Sequence, residues 1–219
     1  MKKSVNSNFY PILVSLDRFP CLIIGGGKIA YRKTLSLQEF NVEITILSPR
    51  ICKPLLELTK KKEIKIINRS YSKEFIKDYK IIFSATNNPE INKIVRNDCS
   101  DEGILLNVVD NPALCDFILP ANIKRGNMTI SVSSQGQAPF YTKEMKNKLE
   151  KLIPPIYENI IDLAGEFRKQ LLAKRKSAKI KTKMYKKFTS KDWEKILTEN
   201  GTKSSKYYIR KILRELNFF

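Results

Sequence analysis

Cys21-Leu22-Ile23-Ile24-Gly25-Gly26-Gly27-Lys28-Ile29-Ala30 is the stretch on which the reading of this chain turns. Four consecutive apolar residues suit a buried strand. Three glycines then stop it. From Lys28 to Phe40, apolar residues at Ile29, Ala30, Leu35, Leu37 and Phe40 suit a helix. Ten residues therefore spell strand, glycine turn, helix, the opening of a parallel βαβ unit.

The pattern continues outward. Val42–Leu47 alternates apolar and polar and stops at Ser48-Pro49, a second strand. Ile51–Lys62 reads as helix, Ile64–Ile67 as strand three, and Ile81–Ala85 as strand four. Glu90–Glu102 is helical, with Pro89 near its start, where proline is tolerated. Leu105–Val109 is strand five, and Phe117–Leu119 and Met128–Ser133 are short β-rich patches. Alternating strands and helices imply an α/β domain on a mainly parallel sheet, Rossmann-like in organisation. From Ala138 onward helical spacing takes over. Leu149, Leu152, Ile153 and Ile156 share one face, and Ile160 through Leu172 form another helix. Amphipathic helices are expected over Lys191–Thr198 and Ser204–Leu216, with a stop at Asn200-Gly201. Ala173–Lys187, the most charged stretch, is expected to be mobile.

Gly25-x-Gly27-x-x-Ala30 matches the dinucleotide-binding pattern in its required place, after a strand and opening a helix. Gly25 permits the tight turn, Gly27 leaves room for a pyrophosphate, and Ala30 lets the helix pack closely. The phosphates would face the N–H groups of the helix start. The same glycines would also serve a plain βα turn. Strand two of such domains normally ends in an acid that binds the ribose hydroxyls. Here it ends in Ser48-Pro49-Arg50. Ser48 could bond a ribose hydroxyl and Arg50 a 2′-phosphate, so NAD and NADP both stay open. The end of strand four, Ala85-Thr86-Asn87, would line the same crevice, and Asn87 or Asn88 would also cap the following helix.

Beyond strand five lie Asp110 and Asn111. Ligands of open α/β sheets bind past the carboxyl ends of strands, so this pair would face a substrate. The chain has no histidine. An imidazole base and a His-ligated metal are thereby excluded, and a carboxylate is the natural general base. Asp110 would equally suit a turn before Pro112. Asp116 would be a cap or a buried partner. Ser133 and Ser134 stand between a strand and a helix, where hydroxyls bind carboxylates or cap the helix. Cys21, Cys52, Cys99 and Cys115 form no C-x-x-C pair, which suggests reduced thiols and no zinc site, and no metal site is expected.

The chain of 219 residues carries a formal charge of +19. Of its 41 basic residues 21 lie from Tyr141 onward, against 9 of its 22 acids. Such a field favours an anionic partner. The start, Met1–Tyr10, lacks the apolar core of a signal peptide, and no window suits a membrane span, so a cytoplasmic protein is expected. A nucleic-acid-binding regulator that senses NAD(H) would also use a basic tail. No helix-turn-helix with a recognition helix is read, so no nucleic-acid partner is expected.

In motif order the chain resembles the precorrin-2 dehydrogenase family, the module that also forms the N-terminal part of siroheme synthases. Tyr10-Pro11-Ile12, Gly25 through Lys33, Ser84 through Asn92, Asn107 through Asp110, Asp116 through Ala121 and Ile130 through Ser134 carry the resemblance, which spans about Tyr10 to Glu150. It implies oxidation of precorrin-2 to sirohydrochlorin with NAD as hydride acceptor, in a homodimer. It implies that Asp110 is the catalytic aspartate and that Lys28, Ile29, Pro49 and Arg50 touch the dinucleotide. Ser134 would border the tetrapyrrole, and some members of the family also insert ferrous iron. The implied division is a dinucleotide domain over 1–113, a small dimerisation segment over 114–148 and a basic helical C-terminal domain over 149–219. Gln135 and Ala138 depart from the family's usual residues after the second serine.

Overall fold

The computed structural model describes residues 9–61 and 63–214. The chain divides into two compact units, Met1–Leu119 and Pro120–Phe219. The absence of a leader expected at Met1–Tyr10 falls mostly outside the described residues, as do Lys62 and the last two residues of the helix expected to end at Leu216.

The first unit is built on five parallel strands: β1 (Cys21–Ile24), β2 (Ile44–Leu47), β3 (Lys65–Ile67), β4 (Ile81–Ser84) and β5 (Leu105–Val108). Their order is β3-β2-β1-β4-β5, all pairs parallel, with Cys21 opposite both Ile44 and Ile81. The helices are α1 (Lys28–Gln38), α2 (Lys53–Lys60) and α3 (Pro89–Glu102). Every residue of β1, β2 and β4 is buried, as a sheet covered on both faces requires. Cys21, Ile23 and Phe83 point into one core with Ala30, Leu37 and Leu55 of α1 and α2. Leu22, Ile24 and Ile82 point into the other with Val95 and Cys99 of α3. The chain order reverses between β1 and β4, which places the switch point beside the Gly25 turn.

The second unit begins with an antiparallel hairpin, β6 (Ala121–Arg125) and β7 (Met128–Val132), which turns at Gly126-Asn127. Four helices follow: α4 (Pro139–Leu152), α5 (Tyr157–Ala173), α6 (Ala178–Thr189) and α7 (Trp193–Arg214). Leu163, Phe167 and Leu171 of α5, Met184 and Phe188 of α6, and Trp193, Leu197, Ile209 and Ile212 of α7 make one core. Gly201 breaks α7 with φ 68°, where the sequence expects a stop.

Two expectations are corrected, and one strand is added. Phe117–Leu119 is not a strand. Its apolar side chains serve packing: the Phe117 ring meets Phe83 edge-on with centroids 5.5 Å apart. Ala121–Arg125 is a strand that the sequence reading did not name, although Ile123, its one fully buried residue, stands between Asn122 and Lys124. The charged stretch Ala173–Lys187 is largely helical, as α6. Ile180, Met184 and Phe188 recur every four residues among the lysines and hold that helix to α5 and α7.

Candidate functional site

The glycine turn is shaped by its neighbours. Gly25 has φ +121°, and a Cβ there would lie 2.6 Å from the Ala85 carbonyl oxygen. The ends of β1, β2 and β4 are laced together at this point: Gly25 N–H donates to the Leu47 carbonyl (2.9 Å) and Ala85 N–H to the Ile24 carbonyl (2.8 Å). Gly26 is more confined still, since a Cβ would meet the Arg50 carbonyl oxygen at 2.1 Å. Cys52 N–H donates to the Gly26 carbonyl at 2.8 Å, which ties the loop after β2 to the turn. Gly27 differs. It is exposed at the N-cap of α1, and a Cβ there would meet no atom of the chain. No packing demand explains a glycine at that position, whereas a pyrophosphate against the first N–H groups of α1 would. The first turn of α1 holds no acid and begins with Lys28, which suits an anion. Ile29 is part-exposed on that turn, and Ala30 is fully buried against the sheet.

The end of β2 is tied internally. Ser48 Oγ donates to the Arg50 carbonyl (2.8 Å) and accepts the Arg50 N–H (3.3 Å). Asn68, with its amide nitrogen turned toward the turn, donates to the carbonyls of Ser48 and Pro49, each at 3.1 Å. The Ser48 proton expected for a ribose hydroxyl is therefore committed to the turn, and its oxygen keeps one acceptor position. Pro49 and Arg50 are exposed beside it.

The loop after β4 is braced by a buried pair. Ser84 Oγ donates to Asn92 Oδ1 (2.7 Å), and Asn92 Nδ2 donates to the Thr86 carbonyl (3.3 Å). Asn88 caps α3, its Oδ1 accepting from Glu90 N–H (3.0 Å) and Ile91 N–H (3.3 Å). Thr86 Oγ1 accepts the Asn88 N–H at 3.2 Å. Asn87 is left exposed between them.

Past β5, Asp110 is exposed in the left-handed region at φ 62°, and Asn111 is exposed beside it. Among the described residues no hydrogen bond engages the Asp110 carboxylate. Asp116 is structural: its Oδ2 accepts Leu106 N–H (2.9 Å) and pairs with Arg96 Nη1 (2.7 Å). Leu106 lies on an edge strand, and this carboxylate satisfies an N–H that would otherwise invite pairing. Lys33 of α1 stands with Nζ 5.2 Å from the Phe83 ring centroid. Burial lowers its pKa from the ordinary 10.5, the charge of the Cys115 thiolate form acting weakly the other way.

Gly25, Gly27, Lys28, Ile29, Ser48, Pro49, Arg50, Ala85, Thr86, Asn87, Asp110 and Asn111 thus all lie on or just past the carboxyl ends of β1, β2, β4 and β5. Ser133 and Ser134 belong to the second unit, in the loop before α4. Ser134 Oγ accepts from Ala138 N–H (3.0 Å) and lies 2.9 Å from Thr142 Oγ1, whose one proton serves either Ser134 Oγ or the Ala138 carbonyl (3.1 Å), and Ser133 Oγ accepts from Gln135 N–H (3.0 Å). Both serines shape their loop.

Sequence reasoning assigned no job to Gly26, Asn92, Lys33 or Cys115. Gly26 stands inside the pattern as an unspecified position, and an asparagine three residues into a helix looks solvent-facing. Their partners come from other elements, so spacing held no signal for them.

Comparison with known proteins adds four findings. A model of the family described as putative NAD(P)-binding matches residues 12–121. The chain is 37% identical over 191 residues to a siroheme synthase of Vesicomyosocius okutanii subsp. Calyptogena okutanii (strain HA), covering 87% of this chain but 39% of that protein. A siroheme synthase of Ruthia magnifica subsp. Calyptogena magnifica is 35% identical over 192 residues, with 88% and 40% covered. Among solved structures, one titled "SirC, precorrin-2 dehydrogenase" superposes with TM-score 0.71 at 22% identity, covering 96% of this chain and 100% of that one. That likeness is one of fold. It extends over both units, and it agrees with the α/β domain followed by helices expected from the sequence.

Proposed function

The chain belongs to the putative NAD(P)-binding family, and from that premise we propose that it is a precorrin-2 dehydrogenase, with NAD as hydride acceptor and Asp110 as general base. One observation carries the reading. An exposed carboxylate, held in a left-handed turn, ends β5, the strand next to β4 at the dinucleotide crevice. The similarity to siroheme synthases over most of the chain supports the substrate class.

The nicotinamide of a bound NAD supplies the hydride acceptor. The chain's residues do the rest. Gly25 and Gly27 keep the turn bare, and the start of α1 with Lys28 and Ile29 holds the pyrophosphate. The turn at Ser48, Pro49 and Arg50 borders the adenine ribose, and Ala85, Thr86 and Asn87 border the nicotinamide side. Asp110 takes the proton that the macrocycle loses along with its hydride. Asn111, Ser133 and Ser134 bind substrate carboxylates. Precorrin-2 is a polycarboxylate, so the charge of +19 would steer it. The location follows from the reaction and is the cytoplasm. Among the described residues no helix is long and apolar enough to cross a membrane.

Two copies pair through the segment 114–148. The hairpin β6–β7 is a two-stranded sheet, marginal by itself. α4 buries no residue, and Phe140 is 78% exposed. Residues 1–113 then serve the dinucleotide and 149–219 the basic helical domain.

Anaerobic precorrin-2 with NAD or NADP, followed at the nicotinamide absorbance, tests the function. NADH formation is expected, with Asp110→Ala lowering kcat by about a hundredfold or more. Turnover with neither dinucleotide would remove the dehydrogenase reading. Wild-type kcat in Asp110→Ala would remove the base. Ferrous iron and sirohydrochlorin given to the same preparation, against the uncatalysed rate, decide whether iron is a second substrate.

A further inference from the structure

The end of β5 is folded around Cys115. Its Sγ accepts the Val108 N–H at 3.1 Å. The same sulfur lies 3.2 Å from the Val108 carbonyl and 3.3 Å from the Asn111 carbonyl, so its single proton serves either. Asn107 Nδ2 stands 3.7 Å from the sulfur and donates to the Phe117 carbonyl at 2.9 Å. These contacts close on Val108–Asn111, a turn whose own backbone bond, Asn111 N–H to the Val108 carbonyl, is 3.3 Å long. Asp110 sits inside that turn at φ 62°. Aspartate tolerates the left-handed region better than most residues other than glycine, at a cost of up to roughly 1 kcal/mol, so what holds the turn around it sets where its carboxylate points. The thiol grips both ends of the turn, at Val108 and at Asn111. Burial raises its pKa above 9.0, so it stays a neutral donor at physiological pH.

We propose that Cys115 is a positioning residue, whose thiol fixes the Val108–Asn111 turn and thereby aims the Asp110 carboxylate. The inference rests on the reading of Asp110 as general base. Cys115 would act through Asp110 alone, so its loss would fall on kcat, spare NAD affinity, and vanish once the carboxylate is gone. A thiol that merely covered the edge of β5 would lower the melting temperature and leave kcat intact below it.

The full chain is compared as wild type, Cys115→Ser, Cys115→Val, Cys115→Ala, Asp110→Ala and the Cys115→Ala/Asp110→Ala double variant. Anaerobic precorrin-2 turnover, NAD titration and thermal unfolding are measured on each. Cys115→Ala and Cys115→Val are expected to lose about tenfold to a hundredfold in kcat, as misplaced catalytic groups do. Cys115→Ser, which can donate and accept like the thiol, recovers most of the loss. In the Asp110→Ala background, adding Cys115→Ala changes the residual rate by less than about twofold. The proposal is overturned by wild-type kcat in both Cys115→Ala and Cys115→Val, or by an equal loss with and without Asp110. Wild-type kcat in Asp110→Ala overturns the base reading instead, and the proposal with it, whatever the Cys115 variants do. Should Cys115→Ala fail to fold, the Ser and Val variants carry the comparison.

Discussion

Three consecutive glycines answer to three different demands. Gly25 is set by a positive φ and the Ala85 carbonyl, Gly26 by the Arg50 carbonyl, and Gly27 by no atom of the chain. Methyl groups at the last two positions should therefore separate folding from binding. Gly26→Ala is expected to cost about 3 kcal/mol or more in urea unfolding, because backbone cannot yield as a side chain does. Gly27→Ala should cost no more than about 1 kcal/mol, the difference between glycine and alanine at an N-cap, yet weaken NAD binding by at least about tenfold. Equal loss of stability in the two variants would show that Gly27 is also structural. Lys33 offers a test with a sign. Burial lowers its pKa, so the folded state is penalised while the amine is charged. Stability is withheld at pH below the folded pKa and returns as pH rises through it toward 10.5, the value in the unfolded chain. Lys33→Met should raise the melting temperature at pH 7, with the gain shrinking toward pH 10. A loss at pH 7 would mean that the contact with the Phe83 ring outweighs desolvation.

Among the elements, α3 is the one whose start shapes the crevice. Asn88 accepts two of its first N–H groups, and Asn92, one turn in, reaches back to Ser84 and Thr86. Asn88→Ala should cost about 1 kcal/mol in chemical unfolding. The capping reading of this stretch holds for Asn88, and the same helix start shapes the loop after β4. Elements were legible where their pattern was local and clean. β1, β2, β4 and β5 are short apolar runs closed by glycine, proline or polar residues. α6 was obscured because lysines surround an apolar stripe of one residue per turn. β6 was obscured because Ile123 is its one strongly apolar residue, among Asn122, Lys124 and Arg125, and its place depends on pairing Ile123 with Ile130 across the hairpin.

At the scale of the molecule, the first unit carries thiols in both of its cores. Burial pushes Cys21 and Cys99 each from 9.0 up to about 12. The folded state holds these protons longer than the unfolded chain. The associated stability is complete below pH 9 and is lost as pH rises toward 12. Tyr71, raised by burial and by its bond to Asp98, adds to the same loss above its ordinary value. Alkaline unfolding is therefore expected to begin above about pH 9, and Cys21→Val should move the onset upward. An onset unchanged in that variant would argue that another group drives it. Self-association is tested by sedimentation. A dimer is expected, and Phe140→Asp should shift it toward monomer by placing a charge on the exposed face of α4. A monomeric wild type would remove the pairing reading.

What the amino-acid sequence determined by itself is whatever contiguous residues can express: strand, glycine turn and helix in ten positions, the alternation that makes a parallel sheet, and the placing of Asp110 just past the fifth strand. The family came into view from the order of such motifs. Only the tertiary structure decided which partner each polar group takes. It committed the Ser48 hydroxyl to its own turn, set Gly26 against the Arg50 carbonyl, joined Asn92 to Ser84, and closed Cys115 on the turn that carries Asp110. The reason is physical. Periodicity depends on neighbours along the chain, whereas a hydrogen bond or a steric limit depends on tenths of an ångström between elements that the fold alone brings together.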